Sequence, residues 1–233
     1  MTWADVIDSY CERTDAGYWS EPLNALSNLS FIVVAVVTWR MARAADDRPA
    51  LLLALSAGSI GLGSYLFHTH ATRWALQADV WPIRVFVLLF IGFAVVRFFH
   101  APWWAGMAAA AGFVLATVAT LAAAGVVGFT ANGSIGYAPI PAAMALMAVL
   151  VARRDRRAAL GMLLGAATFV LSLALRTVDR ELCASLPLGT HVGWHLLNGV
   201  VIATMIVVFI GRGRVDVSAQ RRSPGSARLV ERG

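Results

Sequence analysis

The chain has 233 residues, of which 59% are hydrophobic and only 14% charged, and its mean hydropathy is +0.70. These values exclude an ordinary soluble domain and point to a polytopic membrane protein. The formal charge of +6 comes from arginines set in short clusters between apolar runs. That distribution is a positive-inside signal rather than a nucleic-acid surface, and no nucleic-acid motif stands beside it.

Residues 1–24 are polar and acid-rich, with Asp5, Asp8, Glu12, Asp15 and Glu21 set against the single Arg13. With no basic n-region and no early apolar run, this start is expected to be an extracytoplasmic segment and not a cleavable signal peptide. Hydropathy windows of ~20 residues then predict seven membrane helices: about 25–41, 50–68, 80–99, 103–127, 137–152, 158–175 and 190–210. Arg40, Arg43 and Arg48, then Arg97, then the Arg153–Arg157 cluster mark alternate ends as cytoplasmic. The stretches 69–78, 128–136 and 176–189 are expected as outer loops. The fold class is therefore an all-α, seven-transmembrane helix bundle, N-terminus outside and C-terminus cytoplasmic. Its membrane domain spans residues 25–211, and an arginine-, serine- and glycine-rich tail, 212–233, is expected to be disordered in the cytoplasm. No internal repeat divides it.

This topology brings four chemistry-bearing residues to one outer layer. His191 and His195 lie four apart at the head of the last helix, so both imidazoles project from one face and can reach one ion. His68, at the end of the second helix, supplies a third ligand at matching depth. The pair is not HExxH, because Val192 stands where a glutamate base would be. A base must come from another helix, and Asp79 fits, with a helix N-cap beside Pro82 as its structural alternative. Ser64, one turn before His68, is placed to hold a water or a developing oxyanion. His70 falls in a loop and His100 at the opposite surface, so both are left out, and Arg84 has no partner that the sequence names. Cys11 and Cys183 both fall in outer segments, where disulfides persist, and are expected to pair. Glu12, Asp15 and Glu21 offer oxygen atoms suited to Ca²⁺, without the spacing of an EF-hand.

Five motifs, in order, carry a resemblance: Tyr10-Cys11-Glu12, EPLNALSN at 21–28, GSYLFH at 63–68, QADVWP at 77–82 and HVGWHLLNG at 191–199. Over Tyr10 to about Asn198 the chain resembles the alkaline ceramidases and their bacterial relatives, within the seven-helix membrane hydrolases that include adiponectin-receptor-like proteins. The resemblance implies zinc on His68, His191 and His195, catalytic roles for Ser64 and Asp79, and a match for the family tryptophan in Trp194. It also implies a calcium ion in the N-terminal segment, on Glu12 and Glu21, although the family's Asp-Trp before Cys-Glu reads Ser9-Tyr10 here. It pairs the two cysteines as well.

The expected function is a zinc-dependent intramembrane amidohydrolase. It would cleave ceramide or a related N-acyl lipid to a fatty acid and an amine lipid, near the extracytoplasmic face of a cell membrane. The rival expectation is a non-catalytic, zinc-stabilised seven-helix receptor or lipid-binding protein. An open metal position facing a lipid-sized cavity would separate the first from the second.

Overall fold

The computed structural model describes residues 2–222, and its regular structure is helical, with no strand among the described residues. A short helix α1 (Pro22–Ser27) leads through Asn28 into α2 (Leu29–Ala44). There follow α3 (Arg48–His70), α4 (Arg73–Phe99), α5 (Trp103–Val126), α6 (Pro139–Val151), α7 (Arg156–Val178) and α8 (His191–Arg222). Six stretches are long and apolar enough to cross a membrane: Pro22–Ala44, α3, α4, α5, Arg156–Leu182 and His191–Arg212. Ile135–Val151 is a shorter apolar helix. The seven expected helices are thus all present, in the expected order.

Composition dictates an inside-out pattern. Leu55, Leu62, Leu115, Val149 and Leu164 point outward from the bundle, as side chains do when the solvent is lipid. The core is a column of Leu53, Ile60, Phe98, Met162, Ile206 and Phe209. Consecutive helices pack as neighbours, and α8 returns against α2 and α7 to close the bundle. Where helices come nearest, glycine replaces side chains: a Cβ on Gly63 would run into the Ala78 carbonyl of α4, and one on Gly106 of α5 would meet the Gly92 carbonyl at 2.5 Å.

Two aspartates start helices at the arginine-rich end. Asp47 accepts the Ala50 amide (3.2 Å) and Asp155 the Ala158 amide (2.9 Å). Asp47 also receives both terminal nitrogens of Arg97 (2.5 and 2.8 Å), whose guanidinium lies 3.6 Å from the Phe209 ring centroid. At the other end the N-terminal segment folds over the mouths of α3, α4 and α8. Its lid-like position is fixed by the Cys11–Cys183 disulfide, as expected from the sequence.

Several boundaries differ from the hydropathy reading. The third membrane helix begins at Arg73 rather than near Val80, so Asp79 lies almost two turns inside α4 and is not its N-cap, which is Thr72. His70 is the last residue of α3, not a loop residue, and Arg176 belongs to the last turns of α7, not to the outer loop. In each case the helix continues while its hydropathy falls, because Gln77, Asp79 and Arg176 are polar residues of helices that face other protein. α8 runs past the expected end at 210 to Arg222, and the rest of the expected tail lies outside the described residues. Arg84 rests 5.2 Å from the Trp81 ring centroid, the partner that sequence reading could not name.

Gly63→Ala is expected to lower stability by about 1–3 kcal/mol, because the new methyl meets backbone that cannot swing away. Thermal unfolding in detergent checks this, with Gly112→Ala as the control: a Cβ there has open space around it.

Candidate metal centre

The centre forms where the end of α3 meets the start of α8. His68 stands in the last turns of α3, while His191 opens α8 and His195 follows one turn later. All three are 1% exposed. One ligand atom from each lies within 4.8 Å of the others, the one such group of three among the described residues. The ring centroids are 4.6–5.2 Å apart.

Hydrogen bonds fix which nitrogens face inward. His68 Nδ1 lies 2.6 Å from Glu21 Oε2, and His195 Nδ1 lies 2.7 Å from the Ser27 hydroxyl. Both anchors come from the stretch around α1, so this short helix orients two imidazoles on two other helices. His68 Nε2 and His191 Nδ1 are left buried without any hydrogen-bond partner. Two orphaned imidazole nitrogens converging on one point cost several kcal/mol unless a cation receives them. The donor set, three imidazoles backed by a carboxylate and a hydroxyl, suits a divalent metal such as zinc.

The third imidazole is steadied differently. Tyr10 stacks on His191 with ring centroids 3.5 Å apart and an 18° interplanar angle. Asp179, fully buried, accepts the amides of Cys11 (2.9 Å), Thr190 (2.6 Å) and His191 (2.9 Å). One carboxylate therefore starts α8 and ties it to the N-terminal segment beside the disulfide.

Ser64, Asp79 and His195 line a small cavity, together with Trp194 and Asn198. The Ser64 hydroxyl is 3.4 Å from His195 Nε2 and shares the wall of this cavity with the Asp79 carboxylate. A larger apolar cavity shares Ile60, Ile83, Phe169, Asn198 and Ile202 with it and extends among α4, α6 and α8, past Phe90, Met144 and Met205. His195 thus lines a small cavity whose wall is shared in part with a larger apolar one.

The structure brings together His68, His191, His195, Ser64 and Asp79. It does not gather Glu12, Asp15 and Glu21 around a common point. Both Glu12 oxygens accept backbone amides that start α1, from Leu23 (2.7 Å) and Asn24 (2.8 Å). Asp15 is exposed and accepts the Gly17 amide. Glu21 is committed to Arg13, His68 and Asn24. Burial pushes the Glu21 carboxyl up, but the hydrogen bond and charge of His68, then Arg13 and Asn24, more than offset it and hold the group below the usual range. Burial raises the Tyr10 phenol, keeping it neutral against His191.

Sequence reading missed Arg13, Tyr10, Ser27, Asp179 and Arg176. Arg176 lies among the rings of Tyr10, Tyr137 and Trp194, 5.3–5.9 Å from their centroids. It donates to the Asn132 carbonyl and the Ser134 hydroxyl, each at 2.8 Å. A signal was present: Arg176 is an arginine at an end of the bundle where the positive-inside pattern calls for none.

Fold and site together define a multi-pass membrane protein with a buried three-histidine cluster able to hold a metal ion. The Ceramidase family model matches residues 9–223, and the chain belongs to that family. Membership implies a lipid hydrolase. No curated protein matches the chain.

Asp179→Ala strands three backbone amides, one of them fully buried, and is expected to cost on the order of 3 kcal/mol. A lowered Tm is the expected result, together with weaker binding of a divalent metal added to the purified protein. An unchanged Tm would show that α8 is started by something else.

Proposed function

We propose that this protein is a zinc-dependent intramembrane amidohydrolase that cleaves ceramide or a related N-acyl lipid to a free fatty acid and an amine lipid. The observation that carries the reading is the placement of Ser64 and Asp79 beside His195, in a small cavity whose wall is shared in part with a larger apolar one. The apolar cavity suits an acyl chain, and a lipid amide in the smaller one would lie beside the groups able to hydrolyse it.

His68, His191 and His195 are the residues that would hold the metal. Bound there, zinc supplies a Lewis acid and makes water a nucleophile at neutral pH. Asp79 removes a proton from the attacking water as its oxygen bonds to the amide carbon. The Ser64 hydroxyl donates a hydrogen bond to the carbonyl oxygen as negative charge builds there. When the carbon–nitrogen bond breaks, Asp79 returns the proton to the departing amine, so one water is consumed and the carboxylate is regenerated. Glu21 and Ser27 hold two rings in place and move no proton to substrate. The arginine bias supports a reading with the N-terminus outside, the C-terminus in the cytoplasm and the site near the extracytoplasmic face. An acidic calcium site belongs to this reading only if Glu12, Asp15 and Glu21 can leave their present partners.

Asp79→Asn is expected to keep bound zinc while lowering hydrolysis roughly 10²–10⁴-fold, the usual contribution of a positioned base. Fatty acid released from a panel of N-acyl lipids, quantified by mass spectrometry beside the metal content, decides the matter. Undiminished turnover would refute the role of Asp79, and no release from any N-acyl lipid by the wild-type chain would favour a non-catalytic receptor.

A further inference from the structure

The N-terminal segment contains one basic residue among its acids, and the fold buries it. Arg13 is 7% exposed. Its Nε donates to Glu21 Oε1 at 2.5 Å, one terminal nitrogen donates to the carbonyls of Asp15 (3.1 Å) and Gly17 (3.4 Å), and the other donates to the His68 carbonyl at 2.9 Å. Four oxygens from three parts of the chain surround a single guanidinium. This arrangement of a carboxylate and backbone carbonyls converging from a loop is the oxygen set a hard divalent cation would otherwise seek.

We infer that the Arg13 guanidinium is the resident cation of the N-terminal segment, standing where the family resemblance implies calcium, and that it positions His68 through Glu21. Calcium requires six to eight oxygen ligands, and those expected to supply them are taken. Both Glu12 oxygens hold backbone amides, Glu21 holds Arg13, His68 and Asn24, and the Asp15 and Gly17 carbonyls hold Arg13. A divalent ion placed among them would also face a fixed positive charge at contact distance in a buried setting, where repulsion is poorly screened.

The positioning role follows from geometry. Glu21 divides its oxygens: Oε1 faces Arg13 and Oε2 faces His68 Nδ1. The same guanidinium grips the His68 backbone carbonyl. Arg13 thus fixes both ends of the Glu21–His68 contact, and with it the direction in which His68 Nε2 points. Lysine, a point charge with no planar fork, could satisfy part of this set but not all of it at once.

The test uses the full-length chain in nanodiscs. Calcium titration of the wild-type chain, followed by calorimetry and thermal unfolding, is expected to give no binding heat and no Tm shift. A genuine site at a hundredfold excess over its Kd would raise Tm by on the order of 5–10 °C. Arg13→Gln is expected to weaken zinc binding at the histidines about tenfold in chelator competition, the usual effect of losing a group that orients a metal-bound histidine, with Arg13→Lys recovering part of it. Stoichiometric calcium binding by the wild-type chain, or zinc affinity unchanged in Arg13→Gln, would overturn the inference. The calcium titration decides even where Arg13→Gln does not fold. The zinc arm rests on the function proposed above: a wild-type chain without zinc defeats that proposal while the calcium arm still judges this inference.

Discussion

A buried carboxylate hydrogen-bonded to a buried imidazole is the contact on which the rest of this structure depends. Glu21 and His68 meet at 2.6 Å, at the junction of the N-terminal segment, α1 and α3. Neither group tolerates such burial alone, since each loses its hydration and needs a partner to replace it. Glu21 finds Arg13, Asn24 and His68; His68 presents its other nitrogen to the space shared with His191 and His195. The carboxylate sets the orientation of the ring, and the ring orientation sets whether three nitrogens converge. Polar residues outside the membrane therefore determine the geometry of a site held between membrane helices.

The lipid-facing remainder of the chain has a different task. In a bilayer, apolar surface gains nothing from association, so helices are brought together by close packing and by the few polar contacts available. Gly63 against Ala78 and Gly92 against Gly106 supply the first, and Asp47–Arg97 supplies the second at the far end. Gly63 does more than pack: it lies one residue before Ser64, and the backbone it lets approach is that of Ala78 and Asp79. The close helix crossing therefore also brings Ser64 and Asp79 to the wall of one cavity.

Much of this was legible in the sequence, for identifiable reasons. Hydropathy counts helices because membrane length and backbone hydrogen bonding leave few alternatives, and seven apolar helices are found. The histidines were legible because a spacing of four fixes a shared face, and the cysteines because both fall at the end of the bundle away from the arginine clusters. What escaped were residues whose partners are distant in sequence. Asp179 caps a helix that begins twelve residues later, and Arg13 reaches a carbonyl fifty-five residues away. Arg176 looked like loop because a hydropathy window stops at charge, whereas the helix does not. The acidic N-terminal residues suggested a divalent cation, but composition could not tell that Arg13 lies against Glu21 and the Asp15 and Gly17 carbonyls.

The central claim is that three imidazoles from α3 and α8 hold one zinc ion and leave a position open. Zinc K-edge X-ray absorption of the purified wild-type chain tests it most directly. The account predicts three imidazole nitrogens and one light oxygen scatterer at about 2.0–2.1 Å. Sulfur in the first shell, four imidazole or protein ligands with no open position, or no zinc in protein prepared without chelator would contradict it.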